Sequence, residues 1–156
     1  MNDKIKLYGS FLFTLEKADG SVEITKKDNI IVSSGFLAVS DSIFNSASRP
    51  AVFQYIGIGV GTVAASVTDT LLGSELTTYT VASVRPVATY AFDGVGGVAT
   101  LSHVFAPGEV TGNLTEAGVF NSSAANSTTM LDRVVFPAVN KGIDDTLTVT
   151  FSFSLS

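Results

Sequence analysis

The chain has 156 residues and a formal net charge of −5, with 46% hydrophobic residues, only 15% charged residues and no cysteine. An acidic balance lacks the basic face that neutralises phosphates, so neither nucleic acid nor a membrane surface is an expected partner. The missing cysteines exclude disulfides and thiolate metal sites.

The length predicts one domain over residues 1–156. Mean hydropathy is +0.40. With so few charges to cover a small domain, part of the surface is expected to be buried against other subunits. The start, Met1 to Lys4, carries no apolar run of a signal-peptide kind. The uncharged stretch Pro50 to Thr68 is broken by Gly57, Gly59 and Gly61, so it reads as strand and loop rather than as a membrane span.

Alternation with a period of two dominates the chain. Ile5, Leu7, Gly9, Phe11, Phe13 and Leu15 share one face of a first strand. Ala18-Asp19-Gly20 is a turn, and Val22 to Thr25 returns, which gives an N-terminal hairpin over about 4–26. Ile30-Ile31-Val32 is a short third strand. The one predicted helix, about 34–45, starts at a serine cap, Ser33 or Ser34, and carries Phe36, Val39 or Ser40, and Ile43 at helical spacing. Arg49-Pro50 closes that segment.

Phe53 to Ile58 reads as a strand leading into Gly57-Ile58-Gly59-Val60-Gly61, and Thr68 to Leu72 as a loop with at most one helical turn. Tyr79 to Phe92 reads as a long strand interrupted at Arg85-Pro86, where proline marks an edge or a bulge. Val98 to Phe105 is its return after the loop 93–97. Leu114 to Phe120, Met130 to Phe136 and Thr146 to Leu155 complete the set. The expected fold is all-β: an antiparallel, jelly-roll-like β-sandwich with one short helix.

Catalytic chemistry is sparse. His103 is the only histidine, no Gly-x-Ser-x-Gly elbow accompanies it, and a structural role is expected. A single histidine without cysteine cannot supply a zinc site. The Gly57 to Gly61 run misses the dinucleotide fingerprint, because Thr62 stands at the last glycine position. Asp144-Asp145 lacks EF-hand spacing and reads as a turn. Asn113, Asn121 and Asn126 match glycosylation acceptors but read as polar turns. No catalytic, metal or cofactor-binding residue is expected, and no cofactor.

Glu116 is the most unusual residue. It alternates in phase with Leu114, Gly118 and Phe120, which should face the core. A buried carboxylate needs a cation or several donors. Arg133 in the following strand is the first candidate for a structural ion pair with Glu116, although it alternates with Leu131 and Val135; Arg85 is the second.

The order Gly57-x-Gly59-x-Gly61, Thr68-Asp69-Thr70-x-Leu72-x-x-Glu75, Thr115-Glu116-Ala117-Gly118-Val119-Phe120 and Met130-Leu131-x-Arg133-x-x-Phe136-Pro137-x-x-x-Lys141 resembles small virion proteins of tailed phages. It is also similar to the attachment domain of phage tail-collar fibre proteins, over about Phe53 to Ser156. Unlike the fibres, the chain shows no shaft repeat after its last strand. The resemblance implies a non-enzymatic bacteriophage structural protein located in the virion and assembled in the host cytoplasm. The first expectation is a capsid decoration (cement) protein; a tail fibre, collar or baseplate adaptor is the alternative. Expected partners are the major capsid protein or tail and neck proteins, and further copies of the chain, with a homotrimer implied by virion symmetry. A carbohydrate-binding module is a third reading, weakened by the absence of tryptophan and by phenylalanines that alternate inward.

Overall fold

The computed structural model describes residues 6–77, 79, 84–125 and 129–156. Two antiparallel sheets of five and four strands pack as a sandwich, with one short helix. The strands are β1 (Leu7–Glu16), β2 (Val22–Asp28), β3 (Ile30–Ile31), β4 (Tyr55–Gly59), β5 (Thr89–Asp93), β6 (Val98–Phe105), β7 (Gly112–Phe120), β8 (Met130–Lys141) and β9 (Thr146–Leu155); the helix α1 is Ser33–Phe44. The five-stranded sheet runs β2-β1-β9-β6-β5 and the four-stranded sheet β3-β8-β7-β4.

The clean alternation of β9 is realised from Thr146 to Ser154, while Leu155 at its end is exposed. Leu147, Val149, Phe151 and Phe153 are buried, and the intervening Thr and Ser residues are half-buried. β1 pairs with it along its whole length, from Leu7 opposite Leu155 to Glu16 opposite Thr146. Between the sheets Phe11, Phe13, Phe136 and Phe151 pack with ring centroids 5.0–5.4 Å apart. Burying each such ring contributes about 1.5–3 kcal/mol.

The chain itself closes both open edges of the sandwich. β2 ends at Asp28 and β3 begins at Ile30 in the other sheet. On the far side Val87 bridges to Tyr55 of β4 two residues before β5 enters the five-stranded sheet. Among the described residues the strand expected from Tyr79 is seen from Thr89 onward. Residues 86–88 serve the β4 edge instead, where Pro86 offers a carbonyl to Ile56 and needs no amide. Residues 78 and 80–83 lie outside the described set.

β8 is longer than expected and runs through Pro137 to Lys141. Leu114 pairs with Val139 and Glu116 with Val135, so one residue of β7 faces three of β8. Pro137 sits in that bulge, where no ladder amide is required. A second irregularity leaves Leu131 unpaired between Asp132, opposite Val119, and Met130, opposite Phe120.

The helix departs from its expected cap. Val32 is the N-cap and no side chain caps it. Ser33 donates its amide to the Val67 carbonyl and Ser34 its hydroxyl to the Met130 carbonyl. Tertiary partners thus replace the local cap. Gly35 and Ala38 form the buried face. A Cβ at Gly35 would stand 2.3 Å from the Leu131 carbonyl oxygen, so only glycine lets the helix lie this close to β8. Among the described residues no helix is long and apolar enough to cross a membrane.

Candidate functional site

Every residue of β7 from Leu114 to Phe120 is buried. One face, with Ala117 and Val119, lines the core between the sheets. The other carries Glu116, Gly118 and Phe120, and the segment around residues 60–76 covers it. This corrects the expectation that Glu116 shares the face of Leu114: the bulge after Leu114, which itself lies in the inter-sheet core, breaks the phase. The Leu131 bulge likewise sets Arg133 on the Glu116 face.

The structure brings Glu116 and Arg133 together. Arg133 Nε and Nη2 donate to Glu116 Oε2 at 3.0 and 2.8 Å. The amides of Gly61 and Ser74 donate to Oε1 at 3.0 and 2.6 Å, and that of Gly73 to Oε2 at 2.8 Å. Arg133 also donates from Nη1 to Asp69 at 2.7 Å and from Nη2 to the Val63 carbonyl at 3.0 Å. Burial works against the guanidinium charge, but the Asp69 and Glu116 carboxylates hold its pKa above the ordinary value. Thr115 adds a hydroxyl bond to the Gly61 carbonyl at 2.8 Å.

These contacts explain the glycine run. A Cβ on Gly59 or Gly61 would lie 2.5 or 2.4 Å from Glu116 Oε1, and one on Gly57 2.6 Å from the Phe120 ring. The glycines make room for a carboxylate and a ring, not for a nucleotide phosphate.

Arg85, the second candidate for Glu116, pairs elsewhere. Its Nε and Nη2 donate to Glu75 at 2.5 and 2.7 Å, and its guanidinium stacks 3.4 Å above the Phe120 ring. Tyr79 donates its hydroxyl to Glu75 and accepts from the Ile58 amide; burial and the Glu75 charge push its phenol well above the usual range. This cluster escaped the sequence reading, as did the Asp69 contact. Asp69, Leu72 and Glu75 stood in the phage-like motif at three-residue spacing, but neither signal named their partners.

A third buried acid was also missed. Asp132 is fully buried, accepting from the Val119 amide at 3.0 Å and from the Asn29 side-chain amide. Burial pushes its pKa up to about 7 against those two bonds. Asn29 Oδ1 is buried without a hydrogen-bond partner among the described residues.

His103 Nδ1 lies 3.2 Å from the Val87 carbonyl and its ring meets the Phe105 ring edge-on; burial lowers its pKa. Asp145 accepts from the Gly142 and Ala18 amides, which lower its pKa and tie the turn before β9 to the first hairpin. Asn113 lies in β7 and Asn121 just after it, while Asn126 falls outside the described residues. No group of three or more acidic, histidine or cysteine side chains that could hold a metal occurs among the described residues.

No protein-family model, curated protein or solved structure matches this chain.

Proposed function

We propose that this protein is a non-enzymatic structural subunit of a tailed-phage virion, best read as a capsid decoration protein that works as a homo-oligomer. The observation that supports it most is how the phage-like motif is used. Asp69, Glu75, Glu116 and Arg133 are consumed in internal ion pairs that pin loops. Groups so fully engaged hold shape and are not poised to move protons. Outside, large apolar side chains stand in solvent, including Ile24, Leu37, Phe44, Val63 and Tyr90. A surface of that kind suits assembly. The homotrimer and the virion location rest on the resemblance.

Electron microscopy of particles with the protein labelled tests the reading. Label on capsid faces is expected. Label at the tail or neck replaces decoration by the adaptor role, which the likeness to tail-collar attachment domains favours. Absence from purified particles overturns the virion reading altogether.

A further inference from the structure

Asn29 is the single residue between β2 and β3, where the chain leaves the five-stranded sheet for the four-stranded one. Its backbone amide donates to the Gly9 carbonyl of β1 at 3.2 Å, and its side chain reaches Asp132 of β8. One residue thus ties the crossover to both sheets. A Cβ on Gly9 would overlap the Asn29 side-chain amide, so glycine leaves the room in which that amide sits.

The hydrogen bonds around the pair suit only one protonation state. Asn29 Nδ2 donates to Asp132 Oδ2, and the Val119 amide donates to Oδ1 at 3.0 Å. Both carboxyl oxygens accept, which is the arrangement of a carboxylate. Asn29 Oδ1 meanwhile is buried without a partner among the described residues. A proton on Asp132 Oδ2 would meet the N–H groups of Nδ2, donor against donor. Burial nonetheless favours that proton and pushes the pKa up to about 7. A half-turn of the Asn29 amide about its last side-chain bond removes the conflict. It sets Oδ1, the orphaned acceptor, in front of the carboxyl O–H.

Among the described residues no charged or titratable group on the elements packed around Asp132 takes part. Glu116 of β7 and Arg133 of β8 are paired with each other. Lys27, before the crossover, donates to the Val135 carbonyl, and Lys141 at the far end of β8 to that of Ala106. Asp28, Tyr8 and Glu16 of β1, and Asp41 of α1 are exposed.

We propose that Asn29 and Asp132 form a proton-gated latch on the crossover between the sheets. When protonated, Asp132 donates to Asn29 Oδ1; when ionised, it accepts from Nδ2, and the side-chain amide turns between the two. The protonated latch is the tighter one, because it buries no charge. Ionisation leaves a buried carboxylate with two donors, and opening of the crossover gives it water. The closed latch holds its proton up to about 7 and the open one releases it near 3.8, so the latch is tightest below 3.8 and loosens as pH rises through about 7. The device belongs to the folded chain and does not depend on the virion reading.

The test is an NMR pH titration of the folded full chain, following the Asp132 carboxyl carbon and the Asn29 side-chain amide. Both should move together, with one midpoint near 7. In Asp132→Asn the new amide imitates the protonated carboxyl, donating to Asn29 Oδ1 and accepting from Val119. The Asn29 signals should then stay at their acid position at every pH. Exchange at the Asn29 backbone amide, corrected for its intrinsic rate, should quicken by up to about tenfold per pH unit between about 4 and 7. In Asp132→Asn it should stay level. Asn29 side-chain signals that stand still while Asp132 titrates overturn the latch. So does an Asp132 carboxyl already ionised at pH 5, or a crossover whose opening follows pH equally in the wild type and the variant.

Discussion

Glu116 and Asp132 are both sealed from solvent, on neighbouring strands of one sheet, and they differ in what replaced their water. Among the described residues Glu116 receives five N–H bonds, three from the backbone and two from Arg133. Asp132 receives two from the same set and pairs with no cation in it. The first arrangement substitutes for hydration with fixed donors and an opposite charge, so the carboxylate becomes a clamp. The second leaves burial uncompensated, so the carboxyl keeps its proton to about pH 7. Burial alone therefore does not decide what an acid contributes to the fold; the number and charge of its donors do.

Removing the better-served acid should have the largest effect. Glu116→Ala leaves Arg133 short of a partner and three amides without an acceptor. A loss of about 3–5 kcal/mol is expected from urea denaturation. A loss below about 1 kcal/mol would make Glu116 no more than a surface-type pair.

Asp132 makes stability depend on pH. The folded protein holds its proton up to about 7, while the unfolded chain releases it near 3.8. Its contribution to stability is complete below 3.8 and is lost as pH rises through about 7. The loss is at most on the order of 4 kcal/mol. Burial lowers the His103 pKa and acts in the opposite direction across part of this window. The difference between wild type and Asp132→Asn isolates the carboxyl. That difference should change steadily between pH 4 and 7; a constant difference would mean that Asp132 is ionised throughout.

Smaller effects sharpen the same contrast. Gly59→Ala drives a methyl toward Glu116 Oε1 and the Ser74 carbonyl, 2.5 and 2.6 Å away. It should cost about 1–3 kcal/mol. Gly94→Ala meets nothing within 4 Å and should stay within about 0.5 kcal/mol. Smallest of all, Lys17→Gln removes the exposed pair with Glu23 and should leave the denaturation midpoint unmoved.

Local patterns made much of the fold legible. Leu147 to Leu155 alternates without a break, and Asp19-Gly20 marks the turn between β1 and β2 plainly. The Glu116–Arg133 pairing followed from one chemical rule, that a buried carboxylate needs donors. What stayed hidden is non-local. Two bulges in the β7–β8 ladder reverse the facing of Glu116 and Arg133, and neither leaves a trace in the alternation. Asn29 and Asp132 meet across 103 residues. The start of β5 depends on residues 86–88 being held by β4 in the other sheet. The helix was found from its spacing, but its outward-facing large residues follow from how close Gly35 brings it to β8.

The Glu116 carboxylate fastens the loop around residues 60–76 onto the sheet. Native-state hydrogen exchange at the amides of Gly61, Gly73 and Ser74 tests it most directly. In the wild type these three should exchange only when the whole protein unfolds. In Glu116→Gln they should open locally while the amides of β9 stay protected. Rapid exchange at all three positions in the wild type would mean that Glu116 does not hold the loop.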